Sequence, residues 1–154
     1  GRLAGVAFGY QRIAAAKRAV EKRSASNHAA GRSLRPGNAT AEGVLRELLE
    51  YAAGLPIDFT DWSLDDADRT TFQRRVIAAC RAIPRGQTRS YGQLAQAAGS
   101  PRAARAVGTV MATNRWPLLI PCHRVLGAGG RLGGYSARQG LAMKRRLLAL
   151  EQAE

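Results

Sequence analysis

Along most of this chain apolar residues fall three and four positions apart, the spacing of one helix face. In Ala41–Ala53 the set is Val44, Leu45, Leu48 and Leu49, which predicts an amphipathic helix entered at Thr40 and stopped by Gly54-Leu55-Pro56. Phe72, Val76, Ile77 and Cys80 predict a second helix from Thr71, broken by Pro84-Arg85-Gly86. Ser90 predicts the N-cap of a helix over Tyr91–Ala98 that stops at Gly99. Ser100-Pro101 matches a cap followed by proline at the first helical position, so the next helix is expected from there to about Thr113. A last helix is expected over Gln139–Glu151. Leu3–Phe8 and Leu118–Ile120 are short apolar runs without helical spacing and predict strands, the second one buried. Gln11–Lys22 reads as an Ala-rich basic helix, and the polar stretch Ser24–Asn38 as a loop with His28 in solvent.

Those elements predict an α+β protein. An acidic connector, Asp58–Asp68, marks the expected boundary between a small α/β unit over 1–60 and a mainly helical domain over 61–154. A length of 154 residues suits one full domain and a small partner. The two short helices meeting at Gly99-Ser100 form a helix-turn-helix signature. Many helix hairpins bind nothing, so charge has to decide what this one does.

Charge is lopsided. The formal net charge is +13, and from Arg69 to Leu150 there is no Asp or Glu while fifteen Lys and Arg occur. The excess is mostly Arg, whose planar fork suits phosphate. A polyanion is therefore the expected partner, nucleic acid first and an anionic membrane surface second. No apolar run has the length of a membrane span and no signal-peptide core is visible. Arg102, Arg105 and Thr109 share one side of the second hairpin helix, while Ala104, Val107, Gly108 and Met111 make a small or apolar side. Small residues beside an arginine let a helix come close to a groove.

The candidate chemistry lies in Pro121-Cys122-His123-Arg124. A thiol reacts as its thiolate, which positive or imidazole neighbours favour. On a strand, Cys122 and His123 would point to opposite faces, so a bridging water is needed for His123 to serve as base. Glu151, three and four residues after Leu148 and Leu147, falls on the core-facing side of the last helix and could orient that base; a solvated terminal Glu is the alternative. Asn114 is a second buried polar candidate, able to pin the thiol turn. Cys80 reads as a small buried apolar residue. Two Cys and two His at no ligand-like spacing predict no structural zinc site.

In order along the chain, Thr71-Phe72-Gln73-Arg74-Arg75-Val76, Ile83-Pro84-Arg85-Gly86, Ser90-Tyr91-Gly92-Gln93-Leu94-Ala95, Ala103-Ala104-Arg105-Ala106-Val107-Gly108, Asn114, Pro121-Cys122-His123-Arg124-Val125, Gly133-Gly134-Tyr135-Ser136 and Leu147-Leu148-Ala149-Leu150-Glu151 resemble the O(6)-alkylguanine-DNA alkyltransferases. The resemblance runs from about Ala41 to Glu151. It implies an RNase H-like N-terminal unit, here short of its first strands, and a single-turnover DNA repair protein that needs no cofactor or metal. Cys122 would accept the alkyl group, His123 would draw off its proton through water, Glu151 would polarise His123, and Asn114 would brace the turn. Tyr91 would donate to the guanine ring nitrogen; Tyr135, Ser136 and Met111 would line the pocket; the carbonyls of Cys122 and Val125 would read the exocyclic amine. Arg105 would fill the place vacated by the flipped base, with Arg102, Ala104, Gly108, Thr109 and Arg124 also on the DNA. The implied partner is double-stranded DNA carrying alkylated guanine, bound by a monomer with cooperativity left open, in a bacterial cytoplasm or a nucleus. Cys122 argues against a non-catalytic lesion binder, and Ala103, Ala104 and Gly108 offer little base-edge chemistry to a sequence-reading transcription factor.

Overall fold

The computed structural model describes residues 41–152 except Ser63 and Asp65. The expected strand Leu3–Phe8, helix Gln11–Lys22 and loop Ser24–Asn38 lie outside the described residues, as does most of the expected RNase H-like unit. Helices α1 (Ala41–Ala52), α2 (Thr71–Arg81), α3 (Tyr91–Ala97), α4 (Ala104–Ala112) and α5 (Gly140–Gln152) are joined by turns and one very short parallel ladder. In it β1 (Arg89–Ser90) pairs with β2 (Val125–Leu126), Arg89 opposite Val125 and Ser90 opposite Leu126.

Local sequence explains where the helices start. Thr70 Oγ1 accepts from the Gln73 N–H at 3.2 Å and Gln73 Oε1 accepts from the Thr70 N–H at 3.0 Å, a reciprocal cap for α2. Ser90 and Gln93 repeat the arrangement at α3, at 3.1 and 2.7 Å. Each such cap stabilises its helix by about 1 kcal/mol. Gly54, at φ 93°, takes the left-handed conformation that turns the chain after α1.

One core holds the described residues together. Val76, Ile77 and Cys80 of α2 meet Leu94 and Ala95 of α3, Val107, Val110 and Met111 of α4, and Leu147 of α5. Tyr51, Phe59 and Trp62 belong to the same cluster. Each fully buried aliphatic side chain contributes about 1.5–3 kcal/mol.

Three expectations need correction. Leu118–Ile120 is buried but forms no strand: Leu118 has φ 74°, and the Ile120 N–H donates back to the Trp116 carbonyl at 2.8 Å, closing a turn. A three-residue apolar run reports burial and says nothing of backbone shape. The second hairpin helix begins at Ala104 rather than at Pro101. Here the Ala103 N–H donates to the Ser100 carbonyl at 2.9 Å, and Pro101 presets a turn instead of a first helical position. Helix α1 is rotated from the expected face, with Leu45 58% and Leu49 62% exposed while Tyr51 is 2% exposed. Polar partners set that rotation: Trp62 Nε1 donates to Glu47 at 2.7 Å and the Tyr51 hydroxyl to Glu151 at 2.7 Å. Between α1 and α2, Arg81 Nη2 donates to the carbonyls of Phe59, Thr60 and Trp62 at 3.1, 2.7 and 2.6 Å and so ties the acidic connector to α2.

Candidate active site

Cys122, His123 and Arg124 occupy a single 3₁₀ turn, Cys122–Arg124, entered from Pro121. Successive side chains on such a turn leave about 120° apart. The thiol and the imidazole therefore depart on different sides of one small element. Asn114, just past the end of α4, holds this turn from below. Its Nδ2 donates to the Ile120 carbonyl at 2.9 Å and to Cys122 Sγ at 3.1 Å, while its Oδ1 accepts from the Trp116 N–H at 2.9 Å.

Behind the turn, α5 presents Glu151, 3% exposed. Its Oε1 accepts from His123 Nε2 at 2.8 Å, Arg124 Nη2 at 2.8 Å and the Tyr51 hydroxyl at 2.7 Å. Its Oε2 accepts from Arg124 Nε at 2.8 Å and, at 3.5 Å, from the Gly86 N–H. Burial alone would push this carboxyl up, but the hydrogen bonds from His123, Arg124 and Tyr51 hold it well below the usual carboxylate range. The carboxylate stays charged.

Burial has the opposite consequence for His123, which it lowers against the pull of Glu151. The neutral ring then carries its proton on Nε2, facing Glu151, and Nδ1 is left as the basic lone pair. Among the described residues that buried Nδ1 has no hydrogen-bond partner. Burial also pushes the Cys122 thiol up, countered by the Asn114 amide, the charge of Lys144 and the backbone N–H groups of Cys122 and His123. The resting sulfur is thus a thiol already surrounded by groups that prefer its anion.

Cys122 lines a cavity of about 430 Å³, within the range of small-molecule sites. Tyr91 of α3 and Met111 of α4 form one wall, and Tyr135 and Ser136 of the glycine-rich loop another. Gly133 lets that loop approach α3, because a Cβ there would lie 3.1 Å from both Cε2 and the hydroxyl of Tyr91. On α4, Gly108 reaches the cavity rim, Ala104 is half-buried beside it, and Arg105 and Thr109 are exposed, as is Arg102 in the turn before the helix.

The structure thus brings Cys122, His123, Glu151 and Asn114 together, with Tyr91, Met111, Tyr135 and Ser136 around the opening. Two residues lie elsewhere than expected. Arg124 is 5% exposed and its donors go to Glu151 and, at 2.6 Å, to the Ile83 carbonyl, so it faces the interior and not DNA. Val125 does not line the cavity, and its carbonyl accepts from Lys144 Nζ at 2.6 Å. Sequence reasoning missed Tyr51 and Lys144. Lys144 is fully buried, one residue of the Lys144, Leu147, Glu151 stripe, and that spacing was the available signal. Among the described residues no cluster of three metal-ligating side chains occurs, and no helix is long and apolar enough to cross a membrane.

Residues 71–153 match the model of a family described as 6-O-methylguanine DNA methyltransferase, DNA binding domain. The methylated-DNA–protein-cysteine methyltransferase of Mycolicibacterium paratuberculosis is 45% identical over 111 residues, 71% of this chain and 64% of that protein. The crystal structure of Mycobacterium tuberculosis OGT in complex with DNA superposes with a TM-score of 0.65 at 44% identity, covering 72% of this chain and 65% of that one. The O6-methylguanine-DNA methyltransferase of the archaeon Pyrococcus kodakaraensis superposes with a TM-score of 0.72 at 25% identity, covering 98% and 86%. The chain spans just under two thirds of the length of the two mycobacterial relatives.

Proposed function

The chain belongs to the 6-O-methylguanine DNA methyltransferase family, and from that premise we propose that it repairs DNA by moving the alkyl group of an O(6)-alkylguanine irreversibly onto Cys122. One observation carries the reading: Cys122 lines a cavity of about 430 Å³, with Asn114 hydrogen-bonded to its sulfur and His123, paired with Glu151, beside it in the same turn.

The chemistry follows from that placement. Displacement at a saturated carbon needs a strong nucleophile, so the thiol proton passes by way of a water to His123 Nδ1, and Glu151 stabilises the imidazolium formed. The new S–C bond forms as the carbon–O6 bond breaks. The departing guanine gains electron density, which the Tyr91 hydroxyl at its ring edge neutralises. Burial holds that phenol protonated, as a donor should be. Since the thioether is not cleaved again, each molecule acts once.

Access requires the base to leave the duplex, at a cost of a few kcal/mol. In this reading α3, the turn after it and α4 act as a helix-turn-helix, with Arg105 entering the vacated stack and Arg102 and Thr109 on the backbone. The acid-free run of charge supplies affinity for any duplex. The test is intact-mass analysis after incubation with duplex DNA holding O(6)-methylguanine. A gain of one methyl, absent from Cys122→Ser, is expected; unchanged mass at saturating DNA refutes transfer.

A further inference from the structure

Glu151 Oε1 is shared. It accepts from His123 Nε2 at 2.8 Å and, from a residue one hundred positions earlier, the Tyr51 hydroxyl at 2.7 Å. Tyr51 is 2% exposed on α1 and is held from both sides. Its ring packs on Phe59 with centroids 5.6 Å apart, and the Arg85 guanidinium lies over it at 5.4 Å. Arg85 in turn donates to the carbonyls of Gly54 and Leu150, each at 2.9 Å, tying the end of α1 to the residue before Glu151. A fully buried hydroxyl anchored this firmly, and aimed at the oxygen that polarises the base, is more than a packing group.

We infer that Tyr51 is a positioning residue of the proton relay: its hydroxyl fixes the Glu151 carboxylate beneath His123 and, by occupying Oε1, limits how strongly that oxygen holds the imidazole proton. The inference rests on alkyl transfer by Cys122. Three donors share this oxygen, Arg124 Nη2 at 2.8 Å being the third, and donors competing for one acceptor each weaken the others' hold. Without the hydroxyl, Oε1 binds the imidazolium more tightly, and His123 becomes harder to keep neutral at working pH. The other groups facing the pair come from every neighbouring element: Arg124 and Cys122 on the thiol turn, Lys144 on α5, Tyr135 on the loop before it, and Arg85 against Tyr51. None of them is altered by changing the hydroxyl alone.

Two variants at one position test this in opposite directions. Tyr51→Phe keeps the ring, its packing on Phe59 and the Arg85 stack, so folding is not at issue. Site-specific replacement of Tyr51 by difluorotyrosine keeps the hydroxyl and makes it a stronger donor. The readouts are the pH dependence of the single-turnover methyl-transfer rate and the His123 imidazole titration by NMR. Tyr51→Phe is expected to move both midpoints to higher pH by up to about one unit, and difluorotyrosine to lower pH. Midpoints that stay with wild type in either variant, or that move the same way in both, overturn the role of Tyr51. A wild-type protein that takes up no methyl would instead defeat the transfer reading itself, so the two failures are told apart.

Discussion

Arg124 grips Glu151 side-on with one edge of its guanidinium, Nε on Oε2 and Nη2 on Oε1, each at 2.8 Å, while Nη1 donates to the Ile83 carbonyl at 2.6 Å. An arginine next to a reactive thiol would ordinarily be credited to DNA phosphate; here it is interior architecture. Breaking a buried ion pair from one side costs about 3–5 kcal/mol, because the surviving charge is stranded. Arg124→Gln is therefore expected to lower the urea midpoint sharply, with DNA affinity of the folded fraction unchanged. Filter binding at a denaturant-free concentration separates the two effects.

Stability should fall on acidification in two windows. Burial lowers His123 below its ordinary value of about 6.5, so the unfolded chain binds the extra proton and stability is lost as pH drops below that value. The Glu151 carboxyl is depressed, so its contribution is present above the unfolded value of about 4.3 and fades as pH falls further. Urea melts between pH 3 and 8 should show both. In Glu151→Gln the lower window should vanish from a curve that starts less stable.

Asn114→Ala removes one donor from the thiol and leaves the Trp116 N–H without its partner, while the Ile120 carbonyl keeps the Cys122 N–H at 2.7 Å. An orphaned buried group of this kind costs about 1–3 kcal/mol. The Asn114 amide also pulls the Cys122 ionisation down, so its loss should shift iodoacetamide alkylation of Cys122 to higher pH. Mass spectrometry of the Cys122 peptide across pH measures this directly.

Gly133→Ala places a methyl 3.1 Å from Tyr91, which must yield by a few tenths of an ångström. A misplacement of about 1 Å can cost a hundredfold, so a loss of about five- to tenfold in transfer rate is expected here. The fold should melt within a degree or two of wild type, because the loop stands at the surface.

Arg105→Ala should slow repair in duplex DNA by about tenfold or more, since part of the extrusion cost is no longer recovered. Reaction with free benzylguanine, which needs no extrusion, should be nearly unaffected. Equal losses on both substrates would count against insertion into the stack.

Much of this was readable before the structure, for local reasons. Ser90 caps α3 and Gly54 ends α1 because those signals act within a few residues. Glu151 was visible as a carboxylate on a core-facing stripe, although its spacing alone favoured a solvated terminal residue, and only the resemblance placed it beside His123. The rest depended on contacts between distant parts of the chain. No local rule rotates α1 so that Tyr51, not Leu45 and Leu49, faces inward; a hydroxyl acceptor on α5 does that. Leu118 at φ 74° is equally invisible locally, since leucine ordinarily avoids that conformation and only the surrounding turn imposes it. Pro101 misled because proline serves a turn and a helix start equally well.

The pairing of Arg89 with Val125 and of Ser90 with Leu126 is only two rungs long, yet it joins the root of Tyr91 to the exit of the thiol turn. Slipping it by one residue would reverse which way every side chain on it faces, so no intermediate spacing is open to it. The gap between sulfur and phenol is consequently gauged when the chain folds, before any lesion arrives. In the proposed reaction, a guanine swung into that gap would meet jaws whose span was set in advance.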